Sequence, residues 1–306
     1  MNREPEKLLY RKECPVCSSL SIAPLNKGTF PVSLLKKEQI KITDSSYGKR
    51  WDLSRCESCT HVFADPFPSQ DLVRTLYSAT EDPLYEEEAW GRSKNFAAIL
   101  SFLEKLCPDK GLIFDVGAAT GILLNMARER GWQTEGIEPS SWAVRVAGKK
   151  YSLPLQEGFF EMAQLEENRC SVVTMVDFIE HIADPLAAVA KAFSILAPGG
   201  ILCLVTPDIN SIAAKIAGKK WWHFRPAHLG FFSKKSLSIL LQRSGFRVLK
   251  WRKYSWTFSA HYLLSRKPHL NFLLKNKYLS SFWKKIPIKL ALGDSFEVYA
   301  RKETGK

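Results

Sequence analysis

No apolar run in this 306-residue chain approaches the ~20 residues that a helix needs to cross a bilayer, so no spanning helix is expected. The first residues, Met1-Asn2-Arg3-Glu4-Pro5-Glu6-Lys7, lack the apolar core of a secretory signal, and the expectation is a cytoplasmic protein. Acid is missing from one long stretch. Between Ile209 and Gly293 there is no Asp or Glu against 18 Lys and Arg, in a chain whose net charge is +13. That block cannot suit a cationic partner. It suits an anionic acceptor, peripheral contact with an anionic membrane, or, less well, nucleic acid. Cysteine is scarce: seven residues, an odd number, four of them in two C-x-x-C pairs. This excludes a regular disulfide framework and fits a metal site in a reducing compartment.

A further absence lies in the most informative stretch, Leu112-Ile113-Phe114-Asp115-Val116-Gly117-Ala118-Ala119-Thr120-Gly121. An apolar run reads as a buried strand, a glycine turn ends it, and a helical pattern follows. A nicotinamide-binding turn would carry G-x-G-x-x-G, with a middle glycine making room for a pyrophosphate. Only Gly117 and Gly121 are present, which argues against a dinucleotide. A second strand over 134–137 ends in Glu138, and an acid at such a tip can accept both hydroxyl protons of a ribose. Strand, turn, helix, strand and acid describe a nucleoside-cofactor site at the carboxyl edge of a parallel sheet.

A fourth strand, 171–176, opens into Asp177-Phe178-Ile179-Glu180-His181-Ile182-Ala183-Asp184-Pro185, placing titratable groups at the same edge. His181 reads three ways: as a general base, as a metal ligand with Asp177 and Glu180, or as a structural residue near the next helix. Phe159 and Phe160 follow a short third strand over 153–158, where an adenine could stack. Tyr77, Tyr85 and Arg92, from helical patterns preceding the first strand, could cap the pocket. A connection rich in aromatics, 221–233, puts His223, Arg225 and His228 beside the presumed reaction site, with His228 the favoured substrate-facing group.

Glycine spacing, Asp115 and Glu138 resemble the first two motifs of class I S-adenosylmethionine-dependent methyltransferases. The E-H-x-x-D-P run, the L-x-P-G-G turn before residue 201 and the H-x-x-F-F-S-x-x-S-L segment resemble those of ubiquinone-biosynthesis-like members, over about 112–301. The resemblance implies a Rossmann-like α/β fold, a seven-stranded sheet with an antiparallel last strand. It implies S-adenosyl-L-methionine as cofactor, contacted by Asp115, Gly117, Ala118, Gly121, Glu138, Val176 and Asp177. His181 or His228 would be the catalytic base, acting on a small-molecule, sugar or lipid-linked acceptor, with O-methylation favoured. D-x-x-E-H resembles a divalent-metal cluster of some quinone O-methyltransferases. The rival readings are a zinc-containing nucleic-acid-binding protein or RNA methyltransferase, and an NAD-dependent sugar-nucleotide oxidoreductase.

Cys14, Cys17, Cys56 and Cys59 can form two knuckles closing a four-thiolate structural zinc site. His61 could replace one thiolate, although a surface histidine is the simpler expectation. Residues 39–42 and 51–53 read as strand-like. The expected organisation is a zinc-ribbon-like module over 1–68, a helical linker or cap over 69–110, and a methyltransferase domain over 111–306. A basic amphipathic insertion at about 255–293 has Leu270, Leu274, Tyr278, Phe282 and Ile286 recurring every fourth residue, and Pro287 stops the pattern. The oligomeric state is not legible.

Overall fold

The protein is described by a computed structural model over residues 8–266 and 268–303; Met1–Lys7, read above for a signal core, lie outside the described residues. Seven strands form the main sheet: β1 Leu112–Val116, β2 Gln133–Glu138, β3 Gln156–Glu157, β4 Cys170–Val176, β5 Leu196–Pro207, β6 Phe246–Lys253 and β7 Ser295–Lys302. Their spatial order is β6-β7-β5-β4-β1-β2-β3. β7 runs antiparallel between β5 and β6, with Leu204 opposite Val298 and Trp251 opposite Val298 on the other side, while β3 through β5 are parallel to β1. This is the expected Rossmann-like sheet with its antiparallel last strand.

Both faces are covered, which explains why the strands read as unbroken apolar runs rather than alternating ones. Side chains still alternate between two cores. Ile113, Val172, Ile201, Cys203 and Val205 pack with helices Ala89–Leu106 and Ile122–Glu129. Leu112, Phe114, Val173, Leu202 and Leu204 pack with helices Pro185–Ile195 and Lys234–Arg243. The cysteine module shares this second core, through Cys14, Val16, Cys56, Cys59 and Phe63. Arg243 also donates from Nη1 to the Val16 carbonyl at 2.7 Å.

The module is not closed at residue 68. Its sheet takes Ile22–Asn26, Leu53–Cys56 and Val62–Ala64, and then a fourth strand, Gly230–Phe231, from the far side of the chain. Residues 39–42 do not form a strand: Lys37–Ile40 is one turn of helix, buried at Ile40. The fourfold apolar repeat in the insertion is not one helix either. It divides into a 3-10 segment Pro268–Leu274 and a helix Lys277–Lys284, and Pro287–Leu290 is a strand paired with Trp256–Ser259. The repeat breaks between Leu274 and Lys277, where Asn276 caps a fresh helix start by accepting through Oδ1 from the Tyr278 and Leu279 amides.

Gly136 marks the tightest strand–helix approach near the site. A Cβ there would lie 2.7 Å from Leu124 Cδ1 and 2.9 Å from the Asp115 carbonyl oxygen. Gly136→Ala is expected to lower stability by ~1–3 kcal/mol through overpacking, read as a lower thermal midpoint with unchanged secondary structure.

Candidate active site

The main cavity opens at the carboxyl ends of β1, β2 and β4, where open α/β sheets bind ligands. It holds about 1180 Å³ of empty space, its mouth included. The floor is the turn after β1. Gly117 adopts φ +72°, a conformation that glycine tolerates, and Ala119 also takes a left-handed φ of +47°. Gly117 lines the cavity with Ala119 and Thr120. Gly121 and Ala118 do not. A Cβ on Gly121 would meet Leu153 Cδ1 at 2.9 Å, so its φ of +77° and missing side chain serve helix packing.

Glu138 stands at the tip of β2 and lines the cavity. Its Oε2 accepts from the Ala119 amide at 2.8 Å and its Oε1 from the Ser140 amide at 2.9 Å. Two backbone donors thus fix the carboxylate and leave further lone pairs for a ligand's hydroxyls. Burial pushes its carboxyl up to about 7, against the pull of those two amides. Asp115 sits behind this wall rather than on it. It bridges β1 to β4 by accepting from Thr174 Oγ1 at 2.6 Å, and burial raises it to about 7 as well. Val176 is likewise off the cavity surface, while Asp177, at φ +51°, lines it.

The loop after β4 carries the densest polar chemistry. His181 lines the cavity, and its Nδ1 lies 2.9 Å from the Tyr77 hydroxyl and 3.0 Å from the Ala227 carbonyl oxygen. Burial keeps the imidazole neutral down to about 3, with Arg225 adding to the effect. Glu180 is 1% exposed and accepts from Thr206 Oγ1 at 3.0 Å. Ligand atoms of Glu180, His181 and His228 come within 4.8 Å of one another, so a divalent cation would find one carboxylate and two imidazoles there. Asp177, grouped with Glu180 and His181 by the sequence pattern, is not in that cluster.

His228 does not line the cavity. It is 4% exposed, with its ring edge-on to His181 at 4.8 Å and its Nδ1 without a partner. The connection that carries it acts as a strut. Arg225 donates to the carbonyls of Lys41 and Ile42, Trp51 Nε1 donates to the Pro226 carbonyl at 2.7 Å, and His223 Nε2 lies 3.0 Å from Asp294 Oδ2.

Several wall residues escape the sequence patterns. Arg74 on helix Gln70–Ser78, Thr80, Asp82 and Trp142 form the roof and far side, beside Tyr77, which the sequence offered as a cap. Ser140 Oγ donates to the Thr80 carbonyl at 2.7 Å, tying that roof to the tip of β2. Tyr85 also lines the cavity, with the Arg92 guanidinium stacked 3.8 Å above its ring. Phe159 and Phe160 both reach the cavity, although Phe160 is also a core residue against Phe114 and Phe178.

The four module cysteines gather as the spacing suggests. Their sulfurs lie within 4.8 Å of one another, with Cys14–Cys59 and Cys17–Cys56 at 3.5 Å and no disulfide among them. A tetrahedron of ~2.3 Å metal–sulfur bonds has edges of ~3.8 Å, so the donor set fits zinc. Amides of Val16 and Cys59 point at the Cys14 and Cys56 sulfurs at 3.4 and 3.5 Å. His61 is not a surface residue. It is 1% exposed between Phe63 and Phe232, outside the thiol cluster.

A sheet of this order with a cavity at its carboxyl edge and a buried acid at the tip of β2 is the architecture of a Rossmann-like enzyme. Residues 85–250 match the family described as Methyltransferase domain, and the chain belongs to that family. It is 33% identical over 109 residues to a ubiquinone biosynthesis O-methyltransferase of Albidiferax ferrireducens, covering 33% of this chain and 43% of that one. The ubiquinone/menaquinone biosynthesis C-methyltransferase UbiE of Campylobacter jejuni is 20% identical over 245 residues, 70% of this chain and 100% of its own. The chain spans 43% and 42% of the length of two of the ubiquinone biosynthesis O-methyltransferases it matches. Among solved structures, a SAM-dependent methyltransferase from Archaeoglobus fulgidus shares 15% identity at a TM-score of 0.47, over 68% of this chain and 94% of that one.

Asp177 offers a check on the electrostatics. Burial lifts its carboxyl from the ordinary 3.8 to about 7, opposed by Arg92 and Arg225. The folded form therefore binds this proton more tightly than the unfolded chain, and the cost of the buried charge grows as pH rises between those values. Asp177→Asn should leave the melting point nearly unchanged near the lower value and raise it progressively toward the upper one, measured without ligand across that range. Asn also tolerates the left-handed backbone.

Proposed function

We propose that this protein is an S-adenosylmethionine-dependent methyltransferase acting on an oxygen of a small-molecule, sugar or lipid-linked acceptor, with a structural zinc ion on Cys14, Cys17, Cys56 and Cys59. The observation that carries the cofactor assignment is the Glu138 carboxylate, held by the amides of Ala119 and Ser140 at the edge of a cavity floored by Gly117. A ribose diol there would donate to an acceptor already oriented. The turn lacks the glycine that a pyrophosphate needs, which favours an adenosyl sulfonium over NAD. Family membership supports the same reading.

When bound, the cofactor supplies an electrophilic methyl group on sulfur. The chain's own residues position the reactants, and positioning provides much of the rate in such a transfer. Glu138 orients the ribose, Asp177 borders the methionyl side, and Phe159 offers a face to the adenine. His181 is the proposed base. Tyr77 and the Ala227 carbonyl hold its Nδ1 side, which leaves Nε2 as the nitrogen to take the acceptor's proton. His228, behind it, is a positioning residue. A proton base matters most for a hydroxyl acceptor, which is why oxygen is favoured over carbon.

Isothermal titration tests the cofactor class. S-adenosylhomocysteine should bind the wild type, Glu138→Gln should weaken it by ~10–100-fold through loss of charge-assisted hydrogen bonds, and NAD should give no heat. An NAD signal abolished by the same substitution would reverse the assignment. The metal assignment is read separately: the purified protein should carry about one zinc per chain, and Cys14→Ser should lose zinc and lower the thermal midpoint.

A further inference from the structure

The segment between β6 and β7 leaves large apolar side chains in water. Phe272 is 62% exposed, Tyr278 87%, Leu279 45%, Phe282 55% and Leu292 52%. Tyr278 and Phe282 are one turn apart on helix Lys277–Lys284, so they share a face, with Leu279 beside them. Trp283, next to Leu279 on the helix surface, is half-buried with its indole Nε1 buried. Lys275, Lys284, Lys285 and Lys289 are exposed in the same segment, Lys284 beside Glu87 and Glu88 from earlier in the chain, and 255–293 itself holds no Asp or Glu. A second helix of the same acid-free block, Ile212–Ala217, repeats the pattern with Ile212 and Ile216 outward and Lys215 exposed.

We propose that segment 255–293 is a peripheral docking face for an anionic lipid bilayer, with Tyr278, Leu279 and Phe282 entering the interface and the surrounding lysines meeting the headgroups. Charge complementarity selects an anionic surface. The apolar face selects a bilayer over nucleic acid, because a phosphate backbone gives Leu279 and Phe282 no apolar medium to enter, whereas the headgroup–acyl boundary does. One acyl-like signal alone binds membranes weakly, and an amphipathic helix joined to a basic patch supplies two.

The face is braced against the cavity roof. Ser259 donates from both its amide and Oγ to Glu88, and Thr257 and Asn95 exchange backbone and side-chain contacts, with the Thr257 amide donating to Asn95 Oδ1 at 2.9 Å. Arg266 donates to the Thr43 carbonyl, and the Thr43 amide donates at 2.9 Å to Asp82, a cavity-wall residue. Docking would therefore hold the cavity at a fixed relation to the bilayer, an arrangement suited to a lipid-linked acceptor.

Flotation of the full chain with phosphatidylcholine vesicles, and with vesicles in which about one third of the lipid is phosphatidylglycerol, tests the proposal. Binding to the anionic vesicles should be at least ~10-fold tighter. Tyr278→Ser with Phe282→Ser, which leaves the charge unchanged, should weaken it by ~10-fold, and so should Lys284→Glu with Lys285→Glu. Both pairs are exposed, so wild-type thermal midpoints confirm that the fold is kept. Failure to float on anionic vesicles, or an apolar double variant that floats as well as wild type, overturns the proposal. So does tighter capture by a single-stranded RNA oligonucleotide, unaffected by the apolar variant, which would assign the basic block to nucleic acid. The readout uses no methyl donor, so its failure leaves the cofactor assignment standing.

Discussion

Leu229 is the point from which the candidate site hangs. Its carbonyl accepts from the Ala64 amide at 2.8 Å and its amide donates to the Glu180 carbonyl at 2.7 Å. One residue thereby hydrogen-bonds the last strand of the cysteine module on one side and the polar loop after β4 on the other. The next two residues, Gly230 and Phe231, complete the module's sheet. Because these backbone groups are buried, leaving either one unpaired would cost more than the bond itself contributes, and the two halves are held in one register.

That constraint gives the cavity its two-part wall. The sheet edge contributes Gly117, Glu138, Asp177 and His181, and the chain before β1 contributes Ile42, Tyr77, Asp82 and Tyr85. Bonds from Tyr77 to His181 and from Ser140 to Thr80 cross between them. The four clustered cysteines lie in this module, and Arg243 ties the first knuckle to helix Lys234–Arg243. The cysteines bear on the site through packing, since Cys14, Cys56 and Cys59 share a core with the sheet, and they form a group separate from Glu180, His181 and His228.

Electrostatics follow from the same burial. Asp115, Glu138 and Asp177 are all raised to about 7, while His181 is held neutral down to about 3. Burial penalises the charged form of each of these groups, more than the hydrogen bonds to Asp115 and Glu138 offset.

Local sequence determined the parallel sheet, its strand tips and the cysteine pairs. Each of those depends on short-range rules: buried runs make strands, a glycine turn frees the backbone at Gly117, and C-x-x-C spacing brings two sulfurs together. It also put Glu138 at the sheet edge, since an acid ending β2 must stand there. Tertiary structure alone decided which neighbours those residues meet. His228 looked substrate-facing from its aromatic surroundings, yet the pairing of Gly230–Phe231 with Val62–Ala64 draws that connection into the module and away from the cavity wall. Gly121 and Asp115 turned from the ligand to packing and strand bridging, and the fourfold repeat of the insertion broke into a 3-10 segment and a short helix capped by Asn276. Residues far apart in the chain compete for the same buried surface and hydrogen bonds, and no periodicity within one segment records who wins.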